Sequence, residues 1–291
     1  MDNIDTEYIE KAIDDLIPVV GLKEPIPLLN HNLDAPSTLS PEGLVKAVRA
    51  QRRLEPKPIP EVCVLEFDGD LTDWLVSTGA AQPCKSWACF HTTMFSFEVD
   101  GITYGIVPRT IGGPYAVLVA EQMAISGARL VLGLTSAGRV LSTMPVPGLV
   151  SVTRAIRDEG ASYHYLPPAE AVDAPLEVAH LLELELRKQS IPVLSGIVWT
   201  TDAPYRETES QLSGHAEAGV LAVEMQAASL FAFSQARHFP VGIVAYVTNS
   251  ADQTSELFDK GSHLLEYEIM KRICLAGQRF LSSSGVGDSN L

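Results

Sequence analysis

From residue 61 onward the chain alternates short apolar runs with amphipathic stretches. "EVCVLEF" (61–67) has the length of one buried strand, and "FSFEV" (95–99) and "TYGIVP" (103–108) read as the two arms of a hairpin. A helix is predicted from about Pro114 to Ser126, stopped by Gly127, and "RLVLGLT" (129–135) follows as the next strand. After "LVSVTRAI" (149–156) come a helix at about 176–188, the strand "PVLSGIVWTT" (192–201) and a helix near 207–217. The strand "VLAVE" (220–224), the helix "MQAASLFAFSQARH" (225–238), the strand "VGIVAYVT" (241–248) and a helix at about 260–280 complete the pattern. Strands apolar at nearly every position are buried on both faces, which predicts an α/β fold: a mixed, largely parallel central sheet with helices on either side.

Residues 1–60 read as an amphipathic helix, a proline-rich connector and a second helix announced by Ser40 as N-cap and Pro41 at the first helical position. They are expected to form an extension packed on a single α/β domain spanning 61–281. Residues 282–291, rich in Gly, Ser and Asn, are expected to fray. The full length of 291 residues, with 46% apolar content, suits one large core.

Charge and cysteine usage narrow the function. Lys and Arg total 21 against 36 acidic residues, a net charge of −15, and no basic stripe runs along the chain, so nucleic acid is not expected as a partner. Cys63, Cys84, Cys89 and Cys274 lack metal-ligand spacing and read as reduced thiols of a cytoplasmic protein. No histidine pair has the spacing of a zinc site, so no metal is expected. Neither a signal peptide nor an apolar run of about 18 residues is present, so no membrane association is expected.

Ligands in open α/β sheets collect where strands end at their carboxyl side, because βα turns and helix N-termini converge there. Four such ends carry polar or small residues. In "LTSAG", Thr135 and Ser136 offer hydroxyls while Ala137 and Gly138 permit close backbone approach, although an ordinary polar turn has the same look. In "TTDAPYRE", Asp202 ties down amides or serves as a turn residue, Tyr205 suits stacking on a planar base, and Arg206 suits a base edge or an anion. In "VEMQ", Glu224 sits either at an open strand end or paired, or favoured by a helix dipole, while Met225 suits a flat sugar face and Gln226 a diol. In "VTNS", Asn249 offers both a donor and an acceptor to a heterocycle, and is equally a turn former.

In order and spacing, these strand ends resemble the purine/uridine phosphorylase superfamily, which includes nucleoside phosphorylases and methylthioadenosine/adenosylhomocysteine nucleosidases. "IGGPYAVLVAEQMAISGARLVLGLTSAG" is similar to the family's glycine turn, helix and strand, "AIRDEGASYHY" and "WTTDAPYRE" to segments of its uridine phosphorylase-like branch, and "GVLAVEMQAASLFAFS" to its EME signature. The resemblance runs from about 61 to 281. It implies a nucleoside phosphorylase-like fold, phosphate-dependent cleavage of an N-glycosidic bond to base and pentose 1-phosphate, no cofactor besides phosphate as co-substrate, and a homo-oligomer, dimer or hexamer. It implies Gln226 at the ribose, Met225 packed on the sugar, the Thr135–Gly138 segment beside base and anion, Tyr205 near the base and Asn249 as the catalytic base-side group.

The departures point elsewhere. Gln226 is an amide where the family has a carboxylate, and Asn249 replaces the acid of many purine-cleaving members, as an amide does in the trimeric purine phosphorylases; Asp73 in "GDLTD" stands where the phosphate loop has an arginine, and "LVLGL" holds none ahead of "TSAG". Arg109, Arg139 or a neighbouring subunit's arginine would have to replace those charges. Hydrolysis by water and a catalytically weak nucleoside binder are therefore the alternatives.

Overall fold

The computed structural model describes residues 26–251 and 262–284. The amphipathic helix expected at the N-terminus and the last residues of the expected tail lie outside this range.

After a 3-10 turn at Pro27–Leu29, helix α1 (Pro41–Arg52) begins with Ser40 accepting from the Gly43 N–H at 3.1 Å. The core then follows as β1 (Val62–Glu66), α2 (Asp70–Ser77), β2 (Ala81–Pro83), β3 (Phe95–Val99), β4 (Ile102–Val107), α3 (Gly113–Ser126) and β5 (Leu130–Arg139). Next come β6 (Gly148–Asp158), β7 (Ala171–Asp173), α4 (Leu176–Leu186), β8 (Val193–Thr201), α5 (Glu209–Glu217), β9 (Ala222–Glu224), α6 (Ala227–Arg237), β10 (Val241–Ser250) and α7 (His263–Ser284).

The strands form one mixed sheet. Its two longest ladders, β5–β10 and β6–β8, are parallel, as is β1–β5, whereas β10–β6, β5–β9 and the β2–β3–β4 meander are antiparallel. The order β10-β6-β8-β9-β5-β1-β4-β3-β2, with β10 also paired to β5, closes β5, β10, β6, β8 and β9 into a ring. The ring gathers the ends of β5, β8, β9 and β10 at one rim.

Alternation explains why the strands are apolar throughout. Cys63, Leu65, Val131 and Ile243 face a layer built on α3 and α6, with Met123, Phe231 and Phe233. Their sequence neighbours Val62, Val64, Leu130, Leu132 and Val244 face the opposite layer, built on α2, α4 and α7, with Leu71, Leu182 and Ile273. The central strands β1, β5 and β10 therefore bury both rows along most of their length, whereas β2 and β3 at the sheet edge keep polar positions exposed. Helix α1 packs outside α3, burying Val45 and Val48 with Ala88 against Leu54 and Ile125.

The structure differs from the sequence reading in several places. Helix α2 follows β1 where no helix was expected; Gly69, at φ 90°, makes the left-handed turn into it, and Glu66 caps it. "TSAG" is not a turn but the continuation of β5, because β10 and β9 pair with it on both sides. Helix α7 runs through Ser284, three residues into the stretch expected to fray.

Candidate functional site

The ends of β1, β5, β9 and β10 and the segment after β8 surround a cleft of about 530 Å³. Of the residues singled out from the sequence, Ser136, Ala137, Gly138, Tyr205, Glu224, Met225 and Asn249 line it. Gly138 packs closely there: a Cβ at this position would lie 3.1 Å from the Cα of Ala251. A bulge in the ladder between Val247 and Asn249 re-aims the end of β10, and the Asn249 amide donates to the Thr248 hydroxyl at 2.8 Å. Tyr205, on the 3-10 turn Pro204–Arg206, is 97% exposed. Among the described residues its ring packs on almost nothing, and it forms one wall of the cleft.

Glu224 resolves toward the helix-terminal alternative. Its Oε2 accepts from the N–H groups of Gln226 and Ala227 at 2.7 and 2.9 Å, and its Oε1 accepts from the Thr200 hydroxyl at 2.5 Å. The Thr200 oxygen in turn accepts from Ala228 N–H at 3.0 Å. The carboxylate thus caps α6 and ties it to β8. Burial outweighs these bonds and pushes its pKa up to about 7.

Other expected residues sit elsewhere. Thr135 is fully buried behind the cleft, beside a small cavity shared with Glu66 and Glu266. Asp202 accepts from the Gly160 N–H at 2.8 Å, pinning a neighbouring loop, and Arg206 is exposed; neither lines the cleft. Gln226 is fully buried beneath the cleft, its amide nitrogen over bare backbone at Gly133, and no described group bonds its side-chain oxygen or nitrogen. The reason is local: Gln226 is the N-cap of α6, where the chain turns inward just after Met225.

The basic candidates are also placed. Arg109 folds over Gly69 and pairs with Asp73, away from the cleft lining. The donors at the start of α2, Leu71 N–H, Thr72 N–H and the Thr72 hydroxyl, are taken by the Glu66 carboxylate. Arg139 is nearer, with Nη2 3.4 Å from the Ser250 hydroxyl that borders the cleft.

The sequence reading passed over Phe67, Asp68, Glu207 and Glu209, which also line the cleft. Phe67 and Asp68 follow a strand end and obey the same rule as the four chosen segments. Glu207 closes "TTDAPYRE" itself, but nothing in the sequence marks it as half-buried. Among the described residues no cluster of His, Cys, Asp or Glu is arranged to hold a metal ion, and no helix is long and apolar enough to cross a membrane.

Comparison with known proteins bears on the family and the fold. The chain is 28% identical over 184 residues to the guanosine phosphorylase of Halorubrum lacusprofundi, covering 58% of this chain and 74% of that protein. It is 24% identical over 180 residues to the uridine phosphorylase of Escherichia coli K12, covering 57% and 71%. The crystal structure of uridine phosphorylase from Vibrio fischeri ES114 superposes with a TM-score of 0.59 at 20% identity, covering 78% of this chain and 90% of that one, which shows the shared fold. Residues 62–271, well over half of the chain, match the family model of the phosphorylase superfamily, and the chain belongs to that superfamily.

Proposed function

We propose that this protein is a nucleoside phosphorylase, transferring the pentose of a purine or pyrimidine nucleoside from the base to inorganic phosphate. The supporting observation is the single cleft that joins Ser136, Tyr205, Met225 and Asn249 from four separate segments. Tyr205 stacks on the base and Asn249 hydrogen-bonds it; Met225 packs on the sugar, and the Ser136–Gly138 edge holds the acceptor. The rate enhancement then comes from holding three groups in line around an oxocarbenium-like transition state. Gln226 reaches the sugar diol only by turning its side chain up from under the cleft. Arg139, which reaches the Ser250 hydroxyl at the cleft border, is the guanidinium assigned to the acceptor. The reading needs no cofactor and places the protein in the cytoplasm as a homo-oligomer, dimer or hexamer.

A second reading, hydrolysis, is favoured by one observation. The cleft lining includes Asp68, Glu207, Glu209 and Glu224 and, among the described residues, no Lys, Arg or His. Such a lining repels an anion and admits water. Incubation with uridine, inosine, adenosine and their 2′-deoxy forms, with and without phosphate, separates the two. Base release that requires phosphate and yields pentose 1-phosphate supports phosphorolysis, and release without phosphate supports hydrolysis. Saturable binding with no release would defeat both and leave a silent nucleoside binder.

A further inference from the structure

Breaking an N-glycosidic bond of a neutral nucleoside leaves an electron pair, and a negative charge, on the departing base. A proton delivered to the base removes that charge. Asn249, the base-side residue at the end of β10, is an amide and has no proton to give at neutral pH. The four carboxyl groups of the cleft differ in how they are used. Glu224 is committed to the cap of α6 through Thr200 and two backbone amides. Asp68 has interactions of its own, and Glu209 is exposed in the first turn of α5.

Glu207 is the exception. It is half-buried in the cleft wall and, among the described residues, its carboxyl has neither a hydrogen bond nor an ion pair. Its backbone is held on both sides. The Pro204–Arg206 turn precedes it, and Thr208 follows as the N-cap of α5 in a reciprocal capping box with Gln211. The side chain therefore projects from a fixed segment, in the same wall as Tyr205. We propose that Glu207 is the general acid of this site, protonating the leaving base in place of the amide at Asn249. This rests on the N-glycosidic reading above.

The step balances. The anomeric C–N bond breaks with its electron pair going to the base, and the Glu207 O–H delivers its proton to a ring nitrogen or carbonyl oxygen of that base. An oxygen of phosphate or water bonds to the anomeric carbon, and the proton lost from that acceptor, or one from solvent, restores Glu207. The carboxyl is suited to the task because burial pushes its pKa up to about 7, leaving a large protonated fraction at neutral pH. Among the described residues, the ionisable groups sharing the cleft with it are Asp68 after β1, Tyr205 and Glu209 on its own segment, and Glu224 at the end of β9, while its chain neighbour Arg206 is exposed outside the lining. None of the carboxylates among them favours the ionised form of a neighbouring acid.

The test compares kcat/KM from pH 5.5 to 9 for a neutral nucleoside and for a cationic N-ribosylpyridinium, whose base leaves neutral and needs no proton. For the native protein on the neutral substrate, the rate is expected to be level below about pH 7 and to fall about tenfold per pH unit above it. Glu207→Gln, nearly isosteric, is expected to lose about 10²–10⁴-fold on the neutral substrate and the pH limb with it. On the pyridinium riboside it should stay within a few-fold of the native rate, which also shows that the variant is folded. Glu207→Asp should keep the limb. Equal losses on both substrates, or an unchanged limb in Glu207→Gln, would overturn the assignment while leaving the N-glycosidic reading intact. Failure of the native protein to cleave either substrate would overturn that reading too.

Discussion

Glu224→Gln tests the conclusion that this carboxylate is a buried helix cap whose charge is costly. The folded protein holds Glu224 near pKa 7, against an ordinary value near 4.5, chiefly through burial. The sign follows. An acid whose pKa is raised by folding binds its proton more tightly in the folded state, so its contribution is fully present below about pH 4.5. That contribution is lost as pH rises to about 7, because the unfolded chain ionises first. Linkage over this interval amounts to roughly 3 kcal/mol. Glutamine keeps an oxygen for the Gln226 and Ala227 amides and presents an N–H to the Thr200 hydroxyl, but never ionises. At pH 4.5 the variant should match the native protein or fall about 1 kcal/mol short. By pH 8 it should have gained on it by roughly 3 kcal/mol. Urea denaturation across this pH range, with midpoints compared at equal slope, reads the difference directly. A difference flat with pH, or one that grows in favour of the native protein, would refute the argument. It would mean that the three hydrogen bonds outweigh burial.

Tyr205→Ala should leave stability within about 0.5 kcal/mol, since the ring is 97% exposed, while raising KM for nucleosides roughly two- to tenfold through lost stacking; a melting curve and a substrate titration check both halves. Gln226→Glu should raise the ratio of riboside to 2′-deoxyriboside turnover by on the order of tenfold, because a carboxylate binds a diol about twice as strongly as an amide. An unchanged ratio would count against Gln226 reaching the sugar. Gly113→Ala should destabilise by more than about 2 kcal/mol. The new Cβ would lie 2.0 Å from the Ser229 hydroxyl, which donates to Glu159 at 2.5 Å, and a denaturation midpoint at or near the native value would contradict that packing.

Most strand and helix identities, though not helix α2 or the short strands β2 and β7, were legible in the sequence because they depend on a residue's near neighbours. Val62, Val64 and Leu130 serve one layer and Cys63, Leu65 and Val131 the other, so two apolar faces per strand imply helices on both sides. The rule that ligands gather at strand ends also selected Ser136, Tyr205, Met225 and Asn249, which share one cleft. Tertiary structure decided what each side chain does there. Whether Thr135–Gly138 bends as a turn or runs on as strand depended on β9 and β10 arriving from more than 80 residues away in sequence to pair with it. Glu224 became a cap because Thr200, 24 residues earlier, meets it across the β8–β9 ladder. Gln226 is buried while Met225 lines the cleft, because the chain changes direction between the end of β9 and the first turn of α6. Glu207 was left half-buried and without a bonding partner among the described residues, and burial and partnership are properties of a neighbourhood assembled only by the fold.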